Sequence, residues 1–142
     1  MQENKERISA FLNSEFFIKP EVLKEYIDTS MQFHWNASTG YSKLSLNQLT
    51  ELCKHMQQSF TDCTVKVFQC IAEHDLVSAH FVLHMQPVET SENNDLQEIA
   101  RFMAIFKLNQ QQKITEAWIF SHQAYEDYLP QVDSYLKISS LN

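Results

Sequence analysis

Glu116, Trp118 and His122 could do chemistry together, because they recur at even spacing in the stretch from Lys113 to His122. In an extended strand that spacing places them on one face with Ile114 and Phe120, His122 standing roughly 13 Å beyond Trp118. A carboxylic acid buried beside an indole favours general-acid behaviour. An imidazole can remove a proton made acidic by a neighbouring carbonyl, the step that isomerisation and cyclisation share. Each has a plainer role: Glu116 can pair with Arg101 or Lys107 across a sheet, and His122 can be a hydrogen-bonded histidine without turnover.

Other chemistries find less support. His80 and His84 share a strand face but stand roughly 13 Å apart, too far to hold one zinc with bonds near 2 Å. His55 precedes the core position Met56, and His74 belongs in a turn, so no metal site is expected. The serines are dispersed, no Gly-x-Ser-x-Gly occurs, and no cysteine is tied by sequence to a histidine and an acid. Gly40 is the sole glycine, which removes glycine-rich phosphate cradles. No cofactor is expected, and Cys53, Cys63 and Cys70 read as reduced thiols.

The elements that must position these residues follow from hydrophobic period. Ile8, Phe11 and Leu12 form the stripe of a first helix, from about Glu3 to Asn13. Pro20 suits the first turn of a second, whose buried side is Val22, Leu23, Tyr26 and Ile27, up to about Asp28. Ser45 with Gln48 is a capping-box pattern opening a third helix with the stripe Leu46, Leu49, Leu52, Cys53, Met56 and Phe60. After Asp62 the period becomes two. Val65, Val67, Gln69 and Ile71 alternate with Lys66, Phe68 and Cys70, and a hairpin at Glu73–Asp75 leads to a strand with Val77, Ala79, Phe81, Leu83 and Met85 on one face. Pro87 ends that strand, Glu89–Asp95 reads as a surface loop, and two more strands, about Leu96–Leu108 and Lys113–Tyr125, join at Asn109–Gln112.

Helices first and an antiparallel sheet second is the α+β pattern. The chain of 142 residues fits one domain, with its core at about 15–125 and a C-terminal tail at 126–142. Hydrophobic residues make up 44% and charged residues 20%, which argues for a folded rather than disordered chain. Eighteen acidic against 11 basic residues give a net charge of −7, which disfavours nucleic acid and anionic lipid as partners. No stretch approaches the length of a membrane span, and the charged start is unlike a signal peptide, so a cytoplasmic location is expected.

Both faces of the sheet are apolar. Phe102, Ala104 and Phe106 form one side of the penultimate strand, while Ile99, Met103 and Ile105 occupy the other, joined by Val82 and Ile119. Helices in a chain of this length cover one side only, so the outer face is expected to meet a second subunit, giving a homodimer.

Three local sequences resemble the nuclear transport factor 2-like superfamily and, within it, the SnoaL-like polyketide cyclase group. They are Tyr26-Ile27 followed by His34-Trp35-Asn36; the hairpin run Ile71, Ala72, Glu73, His74, Asp75 and Val77; and Lys113, Ile114, Glu116 and Trp118. The resemblance covers about Leu23 to His122. It implies a cone-shaped fold in which helices pack on a curved, mainly antiparallel sheet and leave an apolar cavity between them, with a short strand after the second helix supplying His34 to the cavity as the second candidate, whose plainer role is to bond a loop carbonyl and fix a turn. The group's hairpin glycine is replaced by His74, the Asp-Gly before its last strand by glutamines, and the proline after Asn36 by Ala37. Its acid four residues beyond the tryptophan is replaced by His122. Fold transfers more safely than function.

Two functions stay open. One is a small-molecule-binding domain of unassigned activity, its apolar or amphipathic ligand lined by Tyr26, His34, Trp35, Phe81, Glu116, Trp118 and His122. The other is a cofactor-independent isomerase, polyketide cyclase-like or aldol-type enzyme using His122 or His34 for proton transfer. The absent acid favours the first.

Overall fold

The computed structural model describes residues 2–88 and 97–123. Helix α1 (Gln2–Leu12) is followed by a 3-10 turn (Pro20–Val22) that runs into the single turn α2 (Leu23–Tyr26). Strands β1 (Ile27–Ala37) and β2 (Gly40–Leu44) precede α3 (Leu46–Ser59), and β3 (Phe60–Glu73), β4 (Leu76–Pro87), β5 (Gln97–Leu108) and β6 (Ile114–Gln123) complete the order. The expected loop at Glu89–Asp95, the strand end beyond Gln123 and the tail at 126–142 lie outside the described residues.

The six strands form one curved sheet in the order β2-β1-β6-β5-β4-β3. Its pairings are antiparallel except β1 with β6, which run parallel. Helices packed on a mostly antiparallel sheet give the expected α+β cone of the nuclear transport factor 2-like fold.

Local chemistry explains the element boundaries. Ser45 Oγ accepts from the Gln48 backbone N–H at 3.2 Å, and the Ser45 N–H donates to Gln48 Oε1 at 2.9 Å, so α3 starts on the predicted capping box. Its residues Leu46, Leu49, Leu52, Cys53 and Met56 are all buried. Phe60, expected on that helical stripe, instead adopts extended geometry and opens β3 while its ring stays in the core. The second helix likewise stops short of Asp28: Ile27, β-branched and buried, already belongs to β1. From Ile27 the chain forms an eleven-residue strand and a hairpin to β2, more sheet than the short strand implied by resemblance. Gly40, at φ 137°, supplies a backbone conformation there that other residues rarely adopt.

Two irregularities reverse faces that strict alternation predicts. Pairing slips between Val67 and Gln69, so Val67, Cys70 and Ala72 pack against the core while Ile71, expected to share a face with Val67, is 64% exposed. A second slip, where β5 passes Lys107, turns Ile114 into the core at 2% exposure and separates it from the face of Glu116 and Trp118. The core lies between the helices and one sheet face, around Phe33, Trp35, Phe81, Phe102, Phe106 and Ile119. The other face leaves Phe68, Ile71, Met103, Ile105 and Phe120 exposed.

Candidate functional site

The residues expected to line one cavity divide between two sides of the sheet. On β1, Phe33 and Trp35 point into the core, so His34 between them points out. On β6, Ala117 and Ile119 point inward, which turns Glu116, Trp118, Phe120 and His122 outward. Trp35 and Phe81 are buried on the helix side. Tyr26, at the end of α2, packs against that core, its ring 5.4 Å from Phe11 and covered by the Arg7 guanidinium at 4.3 Å. The set is therefore two groups: Tyr26, Trp35 and Phe81 inside, and His34, Glu116, Trp118 and His122 on the outer face.

His34 is the centre of the outer group. Its Nε2 lies 2.7 Å from Glu116 Oε2 and its Nδ1 2.6 Å from the Tyr41 hydroxyl. A carboxylate only accepts, so Nε2 carries the proton and donates to Glu116; in the neutral ring Nδ1 then accepts from the phenol. The imidazole also lies between two rings, with centroids 5.8 Å from Trp118 and 6.0 Å from Tyr41 and planes within 18° of each. Parallel pairing of β1 with β6 sets His34 opposite Trp118, with Glu116 two residues before it; β2 brings Tyr41 to the other flank. The carboxylate alternatives resolve as well. Glu116 bonds His34, while Arg101 donates to Glu98 from Nε at 3.2 Å and Nη2 at 3.0 Å, an interaction that holds the Glu98 carboxyl below its usual range.

Sequence reasoning did not single out Tyr41. Its available signal was position: a tyrosine directly after the only glycine, where a hairpin return strand begins. His122 is exposed at the far end of the row, paired in register with Arg101, and is not brought to His34.

The helix side contains a cleft walled by Phe11, Phe16, Phe17, Phe33, Phe102 and Phe106, closed by Trp35, Phe81 and Ile119. Its open volume is about 10 Å³, at the roughly 10–15 Å³ that a single water needs, because the rings fill most of it. Phe81 and Phe102 stack at 5.0 Å and Phe11 and Phe16 at 4.3 Å. The indole N–H of Trp35 donates to Ser121 Oγ at 2.7 Å, so this buried donor is satisfied within the fold.

Neither thiol chemistry nor metal binding gains support. Burial pushes the Cys53 and Cys63 thiols up to about 12, far from a reactive thiolate at neutral pH. Among the described residues, no group of three His, Cys, Asp or Glu could hold a metal ion, and no helix is long and apolar enough to cross a membrane.

Solved structures share this architecture. The candidate polyketide cyclase IdmH from Streptomyces antibioticus aligns over 97% of each chain with a TM-score of 0.65 and 17% identity. A candidate SnoaL-like polyketide cyclase from Jannaschia sp. CCS1 covers 95% of this chain and 92% of its own, with a TM-score of 0.63 and 14% identity. An LEH-like epoxide hydrolase from M. tuberculosis covers 99% of this chain and 93% of its own, with a TM-score of 0.64 and 12% identity. No family model and no curated relative matches the chain. At such identities the likeness establishes the SnoaL-like, nuclear transport factor 2-like fold, and the different chemistries named show that the fold does not select one.

Proposed function

We propose that this protein is a non-catalytic small-molecule-binding domain that takes an apolar or amphipathic ligand between its helices and sheet. The observation that carries this reading is the division of the candidate residues. The helix-side cleft is walled by aromatic and aliphatic side chains, while His34, Glu116 and His122 stand on the opposite face. A ligand held inside would meet dispersion surface and no general acid or base. With about 10 Å³ open, it enters by displacing rings such as Phe16 and Phe17, which lie in the segment joining α1 to the 3-10 turn.

The reading takes 1–142 as one domain acting as a homodimer through the outer sheet face, in the cytoplasm. Exposed Met103, Ile105 and Phe120 on adjacent strands support the dimer, and the three free cysteines suit a reducing compartment.

A second reading rests on the Tyr41–His34–Glu116 chain. If the protein is an isomerase or cyclase, proton transfer belongs at this chain on the outer face: the Tyr41 hydroxyl passes its proton to Nδ1 of His34, Glu116 stabilises the imidazolium so formed, and the phenoxide oxygen takes a proton from the ligand.

Tryptophan fluorescence separates the two. In a Trp118→Phe variant, Trp35 alone reports on the interior. A screen of apolar compounds by native mass spectrometry should yield a ligand that shifts Trp35 emission and binds equally well after His34→Gln. A ligand that leaves Trp35 unchanged and is lost with His34→Gln overturns the interior reading in favour of the outer site.

A further inference from the structure

A separate cleft of about 610 Å³ opens at one end of the sheet, between the start of α1, the β3–β4 turn and the β5–β6 turn. That volume is within the roughly 300–1,000 Å³ of small-molecule sites. Its walls contrast with the phenylalanine-lined interior. Glu3, Asn4, Asp75, Lys107, Gln110, Gln112 and Thr115 present carboxylates, carboxamides, an ammonium and a hydroxyl. We propose that this cleft binds a neutral, polyhydroxylated ligand of saccharide size.

Three observations support the assignment. The framework is fixed before any ligand arrives: Asn4 Nδ2 donates to the His74 carbonyl at 3.3 Å, Leu108 N–H to the Asp75 carbonyl at 2.9 Å, and Arg7 Nε to the Gln112 carbonyl at 3.1 Å. These bonds tie α1 to both turns and one turn to β5, and they use backbone oxygens. The side-chain amides of Gln110 and Gln112, the Lys107 ammonium and the Asp75 carboxylate are left without hydrogen-bond partners among the described residues. Second, Gln112 and His74 hold positive φ of 60° and 57°, so each wall of the cleft keeps a side chain at a position where glycine would be less strained. Third, two carboxylates, Glu3 and Asp75, stand against the single Lys107 ammonium, so the cleft lacks the positive field that a phosphate would need. Carboxamides offer a donor and an acceptor on one group, as does each hydroxyl of a sugar, so a polyol can satisfy several at once without bringing charge.

The experiment is an NMR titration of the uniformly 15N-labelled chain with trehalose and, separately, with D-glucose. Saturable shifts of the Gln110 and Gln112 side-chain amides are expected with one or both sugars. Gln112→Gly keeps the turn's backbone conformation while deleting the carboxamide, and it should weaken binding about three- to tenfold, the loss of one hydrogen bond. Lys107→Met tests the opposite wall with the same expectation. No saturable shift with either sugar, shifts spread evenly over the surface, or binding unchanged in both variants overturns the assignment. Shifts centred on Ile119 and Trp35 would report the helix-side interior instead and would also overturn it.

Discussion

His34 and Glu116 meet at 2.7 Å across β1 and β6, the sheet's one parallel pair, and Tyr41 closes the far side of the same imidazole. This contact ties the edge hairpin of β1 and β2 to the rest of the sheet from the outside, while Phe33 and Trp35 tie it from within.

The side chains of His34 and Glu116 are 15% and 30% exposed, so solvent screens part of their attraction. Glu116→Gln and His34→Gln should each lower unfolding stability by about 0.5–1.5 kcal/mol in urea titrations. The double variant should cost less than the two singles added, because they share one interaction. Full additivity would show that the pair contributes nothing as a pair.

Buried thiols set an alkaline limit. Burial raises Cys53 and Cys63 to about 12 in the fold, against an ordinary value of 9.0. Between those values the unfolded chain has lost protons that the native one keeps. Stability is therefore fully present below pH 9 and declines as pH rises toward 12, at up to ~1.4 kcal/mol per pH unit for each thiol. Cys53→Ala and Cys63→Ala variants, compared with the parent by denaturant titration from pH 8 to 10.5, should show a flatter decline. Parallel pH profiles would remove the thiols as its cause. At pH 8, iodoacetamide should modify the half-buried Cys70 before either of the others.

The legible parts of this chain were those with uninterrupted period. The α3 stripe as far as Met56 and its cap at Ser45, the hairpin at His74, the β4 row from Val77 to Met85 and the β5 row from Phe102 to Phe106 stand where the period put them. Ile99, inserted at the slip where β5 passes Leu83, and Ile119 are instead buried in the core and not on the outer face expected for them. What failed was phase. A single inserted residue near Phe68 and a slip beside Lys107 reversed Ile71 and Ile114, and sequence has no marker for a bulge made without glycine. The site suffered from a related gap. Glu116, Trp118 and His122 were correctly placed on one face, but which face the helices cover depends on neighbouring strands, and the partner of Glu116 lies 82 positions earlier at His34.

Exposed Ile105 pairs with Trp118 across β5 and β6, and Met103 with exposed Phe120, forming a continuous apolar band. A second copy on this band would remove it from water. Ile105→Glu should leave monomer stability within about 0.5 kcal/mol, as for other surface changes, and shift a dimer at tens of micromolar to monomer in light scattering. A parent protein that is already monomeric there sinks the dimer.

Phe102 offers the most direct view of the interior. It is 4% exposed and stacks on Phe81 at 5.0 Å, with Phe17 at 6.2 Å on another side. Phe102→Ala should cost about 3–5 kcal/mol, a large share of the roughly 5–15 kcal/mol that holds a domain together. The milder Phe102→Leu removes less volume and should remain folded while leaving a dry apolar gap beside Phe81. Dry gaps of this kind take up small aromatics. Benzene should therefore raise the melting temperature of Phe102→Leu more than that of the parent, by the linkage between ligand binding and stability. An equal response from both would mean that the surrounding rings close over the gap and that this wall is packing, not a ligand site.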